Sequence, residues 1–80
     1  MQLVALAGAV KVQHDGIATE WYTLRLNGGY HAHTGMGANV GGTVVIALDP
    51  SLPSGSYAAT VDACTDNVCV PSDPATVQVP

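Results

Sequence analysis

An all-β fold, an antiparallel sandwich or barrel, is what this 80-residue sequence predicts. Three observations predict it. Apolar residues recur with a period of two in five separate segments, as they do where successive side chains point to opposite faces of a sheet. No segment shows the 3.6-residue period of an amphipathic helix. Pairs such as Asp15-Gly16 and Asn27-Gly28 punctuate the alternation with residues that accept the positive φ of tight turns.

The first segment runs from 3 to 13. Val4, Leu6, Gly8, Val10 and Val12 alternate with Ala5, Ala7, Ala9, Lys11 and Gln13, which predicts a strand with the bulkier set turned to the core. Asp15-Gly16 ends it. A second strand over 17 to 27 puts Tyr22, Leu24 and Leu26 on one face and Trp21, Thr23 and Arg25 on the other, and closes at Asn27-Gly28, a strong hairpin signal. Residues 30 to 33 return as a short strand. From Thr34 to Gly42 there is too much glycine and too little periodicity for anything but a loop. Val44, Ile46 and Leu48 form a third alternating face, Tyr57, Ala59, Val61 and Ala63 a fourth, and Ala75, Val77 and Val79 a fifth. The expected core is Val4, Leu6, Val10, Val12, Leu24, Leu26, Val44, Ile46, Leu48, Tyr57, Val61 and Val77.

Residues 52 to 63, "LPSGSYAATVDA", resemble the E–F corner and F strand of immunoglobulin-like and fibronectin type III domains. Leu52 is followed by a turn at Pro53 and Gly55, and Tyr57 opens an alternating strand. "SDPATVQVP" is similar to the kinked last strand of fibronectin type III modules, so the resemblance covers roughly the last third of the chain. It implies an all-β, antiparallel immunoglobulin-like (fibronectin type III-like) sandwich of about six to seven strands, one domain over residues 1–80. It also implies a tyrosine corner, the Tyr57 ring in the core and its hydroxyl bonded to backbone near Leu52. Residues 17 to 27 then match strand C and residues 3 to 13 match strand B, which leaves strand A no stretch of its own. Either Gly8 kinks one long strand that serves as both, or the strand is missing and a sheet edge stands open. Asp15-Gly16 competes with this layout, because a two-residue turn would pair strands that the family places in different sheets.

Within that frame Cys64 and Cys69 flank "TDNV" between strands F and G. A hairpin there sets them opposite each other, and a non-hydrogen-bonded pair with Cα atoms about 4.5 Å apart lies within disulfide range. The expectation is a Cys64–Cys69 disulfide; the alternative is two reduced thiols at a loop rim. "HAH" points His31 and His33 to one face of a strand, but they start beside the C–C′ turn, away from the cysteines, and no metal site is expected. CxxxxC is not the CxxC of redox enzymes, and "GMGANVG" lacks the βαβ context of a dinucleotide loop. Ser51, Ser54 and Ser56 suit a turn. Asp62, Asp66 and Asp73 could meet around the F–G loop but lack the fixed spacing of a calcium loop, and solvated carboxylates are expected. No cofactor is expected.

Lys11 and Arg25 are the only basic residues against six acidic ones, so no charge stripe is present to neutralise a phosphate backbone and nucleic acid is excluded as a partner. No apolar run approaches the roughly 20 residues of a membrane helix, so no membrane partner is expected. "MQLVALAGAV" lacks the positive n-region of an export signal and reads as mature structure at the start of a complete gene product.

An outward Trp21 beside Arg25 would be an interface anchor, as these residue types often are. The opposite register would bury Trp21 and expose Tyr22. Met36 and Asn39, in the glycine-rich loop, complete the expected interface. The sequence thus points to a non-enzymatic structural protein that docks onto a larger assembly. It is similar to the small decoration or accessory proteins of tailed-bacteriophage virions, made in the host cytoplasm and carried on the particle, whose partner is a capsid shell protein or a second copy. The alternative is a surface- or carbohydrate-binding module of a longer secreted protein, in an extracellular setting.

Overall fold

A computed structural model describes residues 1–13, 18–19, 21–34, 39–40, 43–65 and 68–80, and every regular element among them is a β-strand. In chain order these are β1 (Gln2–Leu6), β2 (Ala9–Gln13), β3 (Ala18–Thr19), β4 (Trp21–Leu26), β5 (Gly29–Thr34), β6 (Asn39–Val40), β7 (Thr43–Ala47), β8 (Gly55–Thr65), β9 (Val68–Pro71) and β10 (Ala75–Val79). One antiparallel sheet has the order β1-β2-β7 and the other β10-β8-β4-β5, with β9 also paired to β8. Val10, Val12, Val44 and Ile46 of the first sheet pack against Tyr22, Leu24, Leu26, Ala59, Val61, Ala63 and Val77 of the second. The molecule is therefore an antiparallel sandwich of immunoglobulin-like type, its two inner faces closed on each other.

The amino end departs from the single expected strand. Gly8 takes φ +71°, which a glycine adopts at no steric cost, and with Ala7 it forms a two-residue turn that pairs Leu6 with Ala9. Two turn residues reverse the direction of the chain and the parity of its faces together. Leu3 and Ala5 now lie opposite Val12 and Val10, whereas Val4 and Leu6 lie opposite Lys11 and Ala9 on the outer face. Val4 and Leu6 are thus not core residues; Leu6 is 38% exposed and Leu3 packs against the core in their stead. Strand A exists as β1. Residues 14–17 lie outside the described residues, but β2 pairs with β1 and β7 and not with β4, so the segments before and after Asp15-Gly16 belong to different sheets.

The remaining faces follow their alternation. Val10, Val12, Leu24, Leu26, Val44, Ile46, Leu48, Val61 and Val77 are buried, and Tyr57 packs half-buried against them. Tyr22, 1% exposed, takes the inward position and leaves Trp21 outside. The strand count exceeds the expected number for physical reasons. The first strand splits at Ala7-Gly8, and the last splits at Ser72–Pro74 into β9 and β10, which share one edge of β8. Ser72 holds that interruption against β8: its amide donates to the Val61 carbonyl at 2.8 Å and its hydroxyl accepts from the Val61 amide at 2.9 Å. Asn39–Val40 is not loop but pairs with Ala18–Thr19.

Asn27 (φ 50°) and Gly28 (φ 85°) make the expected β4–β5 turn with positive φ at both central positions. Counting from it, Leu26 pairs with Gly29 and Arg25 with Tyr30. Continued without interruption, that register would point His31 and His33 at the core beside Leu24 and Tyr22. A bulge between Leu24 and Arg25 instead leaves His31 unpaired, sets Ala32 opposite Leu24 and His33 opposite Thr23. One inserted residue puts the half-buried methyl group of Ala32, in place of an imidazole, against the core.

Candidate functional site

The outer face of the five-stranded sheet gathers the side chains with most capacity for recognition. Alternation along β4 presents Trp21, Thr23 and Arg25 there, and antiparallel pairing sets them opposite Cys64, Asp62 and Thr60 of β8. Trp21 is half-buried. Its ring centroid lies 6.3 Å from that of His33 with the planes tilted by 35°, a range in which aromatic rings interact. The opposite neighbour, Cys64, is 1% exposed and bonded to Cys69 on β9, with the two Cα atoms 4.1 Å apart. The disulfide thus ties the end of the edge strand to the strand that carries Trp21's cross-strand partner.

Arg25 Nε donates to Asp62 Oδ2 at 3.1 Å. Both side chains are partly exposed, so the pair adds well under about 1 kcal/mol to stability; its consequence is that the guanidinium is held along the sheet. Tyr30 stands opposite Arg25 and is 67% exposed. Trp21, Arg25, Tyr30 and His33 therefore share one surface with Thr23, Thr60 and Asp62.

His31 serves another purpose. Its Nε2 accepts a hydrogen bond from the Asp49 amide at 3.0 Å, linking the edge of one sheet to the segment that follows β7 in the other. The Asp49 carboxylate accepts from the Ser51 amide at 2.9 Å and the Ser51 hydroxyl at 2.8 Å. The Ser51 amide first, then its hydroxyl, with the nearby His31 adding to them, hold the Asp49 carboxyl below its ordinary value. The expectation that "HAH" points His31 and His33 to one face of a strand is thus corrected: one imidazole bonds the Asp49 amide and the other lies beside Trp21. His33 also stands at the cysteine end of the sheet, since Trp21 lies between it and Cys64. Among the described residues no three His, Cys, Asp or Glu side chains come close enough to hold a metal ion.

The Tyr57 hydroxyl donates to the Pro53 carbonyl at 2.6 Å, and the adjacent Leu52 packs against the core. The Ser54 hydroxyl donates to the Pro80 carbonyl and that of Ser56 to Gln78 Oε1, so all three serines serve local turn and edge bonds. A cavity of about 290 Å³ lies at this end of the sandwich, lined by Gly8, Leu48, Asp49, Pro50, Leu52, Gln78, Val79 and Pro80. Of the other expected interface residues, Met36 lies outside the described residues, as does Asp66, and Asn39 pairs through its backbone with Thr19.

Sequence reasoning found Trp21 and Arg25 but not Tyr30, His33 or Asp62 beside them. Asp62 was readable, since it alternates with Val61 and Ala63. Tyr30 and His33 share a face only because of the bulge, for which the sequence carries no turn residue as a sign. The chain matches no protein-family model, no curated protein and no solved structure. The class of protein is accordingly defined by its architecture, a small antiparallel sandwich with an aromatic outer face beside a disulfide-tied edge.

Proposed function

We propose that the chain is a non-enzymatic docking module that binds a protein of a larger assembly through the outer face of the five-stranded sheet. The observation that carries this reading is the grouping of Trp21, Arg25, Tyr30 and His33 on one outer face, because aromatic and arginine side chains dominate the energetics of protein interfaces. A domain of this size also gains from a partner, its own core supplying only about 3–5 kcal/mol.

The setting we propose is a virion, with a capsid shell protein as the partner. The order β1-β2-β7 against β10-β8-β4-β5 corresponds to the A-B-E and G-F-C-C′ sheets of a fibronectin type III domain, and small proteins of that kind decorate tailed-bacteriophage capsids. Synthesis in a reducing host cytoplasm followed by release would close Cys64–Cys69 late, on the particle.

A photo-crosslinking residue in place of Thr23, between Trp21 and Arg25, tests the reading. On native particles we expect one cross-link to the major shell protein, lost in a Trp21→Ala variant whose circular dichroism is unchanged. Cross-linking that survives Trp21→Ala refutes the assigned face. Saturable binding to a polysaccharide with a change in Trp21 fluorescence transfers the face to carbohydrate recognition, the module reading, since an exposed Tyr30 and a half-buried Trp21 on one sheet face also suit stacking on sugar rings.

A further inference from the structure

β9 is an edge strand with β8 on one side and, among the described residues, no strand on the other. All of its residues, Val68 to Pro71, are exposed. Cys64 and Cys69 are directly opposite each other with Cα atoms 4.1 Å apart, the close spacing of a non-hydrogen-bonded antiparallel pair. It follows that Val68 and Val70 direct their backbone groups to β8, while the amide and carbonyl of Cys69 point away from it. The disulfide holds Cys69 in this extended conformation, so little ordering entropy opposes the addition of another strand. Val68 and Val70 are 60% and 59% exposed and share the face opposite to that of Cys69.

We propose that two copies of the chain join edge to edge through β9, pairing Val68–Val70 antiparallel about a two-fold axis at Cys69. The occupant is a second copy because Val-Cys-Val reads the same in both directions. Cys69 meets Cys69 and the two exchange both backbone hydrogen bonds, Val68 meets Val70, and the four valines cover one another on a single face. Each chain carries a formal charge of −4, which keeps copies apart except along an uncharged strip, and residues 68–71 carry no charge. Natural edges are blunted by lysine, other charges or proline; here only Pro71 does so. Having no amide hydrogen, Pro71 ends the ladder after one exchange of bonds, and the two-fold axis consumes the edge on both sides, so the product is a closed pair and not a fibre. The pairing also lays the two outer faces side by side. The two Trp21 residues are then five inter-strand spacings apart, about 24 Å, and a docking partner with repeated sites would meet two anchors at once.

The test is sedimentation equilibrium of the oxidised chain with residue-level amide exchange, from about 10 µM to about 1 mM, the range in which so small an interface operates. We expect the mass to rise from 8.1 kDa toward twice that value. Exchange of the Cys69 amide should slow about tenfold or more over the same range, as it does when an exposed amide enters a ladder. Val70→Lys, and separately Val68→Lys, should abolish both changes with the circular dichroism unaltered, because both side chains are largely exposed. Trp21→Ala should dimerise normally, which separates this edge from the docking face. A chain that stays monomeric, a dimer whose Cys69 amide exchanges as fast as the monomer's, or lysine variants that fold and still dimerise would each overturn the proposal.

Discussion

Reducing Cys64–Cys69 should cost the domain a measurable but survivable part of its stability. The bond joins residues five apart, and closing so short a loop removes roughly 2 kcal/mol of unfolded-state entropy on the chain-entropy model. A domain of this length has about 4–12 kcal/mol in all, so the reduced protein should remain folded. With a urea slope near 1 kcal/mol/M for a chain of this size, the midpoint should fall by about 2 M. Reduction is a cleaner perturbation than replacing Cys64, which is 1% exposed and would leave a cavity if truncated. Replacing the exposed partner, Cys69→Ala, should reproduce the shift and make the midpoint insensitive to reductant. The assay is urea unfolding followed by the fluorescence of Trp21, the single tryptophan, with far-UV circular dichroism as a second probe. A shift below about 0.5 M would refute the reasoning, because it would mean that the unfolded chain is no freer without the bond. A reduced chain unfolded in water would refute it in the other direction, showing that the bond carries most of the stability.

Two further outcomes follow from the packing and the charges. Leu6→Lys should be nearly neutral, within about 0.5 kcal/mol, whereas Val10→Ala, at a fully buried position of the adjoining strand, should cost about 1–3 kcal/mol; equal losses in urea unfolding would restore Leu6 to the core. Asp49 should titrate below 3.8, its ordinary value, in carboxyl-resolved NMR, and Ser51→Ala should move the inflection upward by removing the hydroxyl donor. A folded-state pKa that is lowered contributes stability present above the unfolded value and lost as the pH falls through the folded one, so this contribution disappears in the acid range below about pH 4; an inflection at or above 3.8 in the unaltered protein would contradict the bonding of Asp49 to Ser51.

Most of the sandwich was legible because five alternating segments and one Asn-Gly turn leave little freedom. Tyr22, Leu24 and Leu26 had to share a face, and the turn at Asn27-Gly28 announces itself through two residues that tolerate positive φ. The amino end was not legible for the same reason that the rest was. Val4, Leu6, Gly8, Val10 and Val12 keep an unbroken period of two straight through the turn at Ala7-Gly8, so alternation alone continues the strand. A glycine flanked by alanines is as compatible with a strand interior as with a hairpin, and only the pairing partner decides. At the last strand "SDPATVQVP" resembles a kinked strand, and the kink is a full interruption between β9 and β10, where Pro74 lacks the amide a ladder needs.

The outer face shows why architecture can be read from such a chain more easily than its surface. Core residues are over-determined, since several strands must bury their apolar sets together. The surface has no such redundancy: which polar residues become neighbours depends on parity, and parity changes with a single residue. At β5 the inserted residue is His31. Were the bulge absent and His31 kept in the ladder, the turn-defined register would send His33 inward and Ala32 outward, and Trp21 would lose its aromatic neighbour. The cost of burying an unpaired imidazole, set against the negligible cost of burying a methyl group, therefore does more than protect the core. It selects the bulge, the bulge brings His33 to the same surface as Tyr30, and the aromatic character of the outer face follows from a choice made on the other side of the sheet.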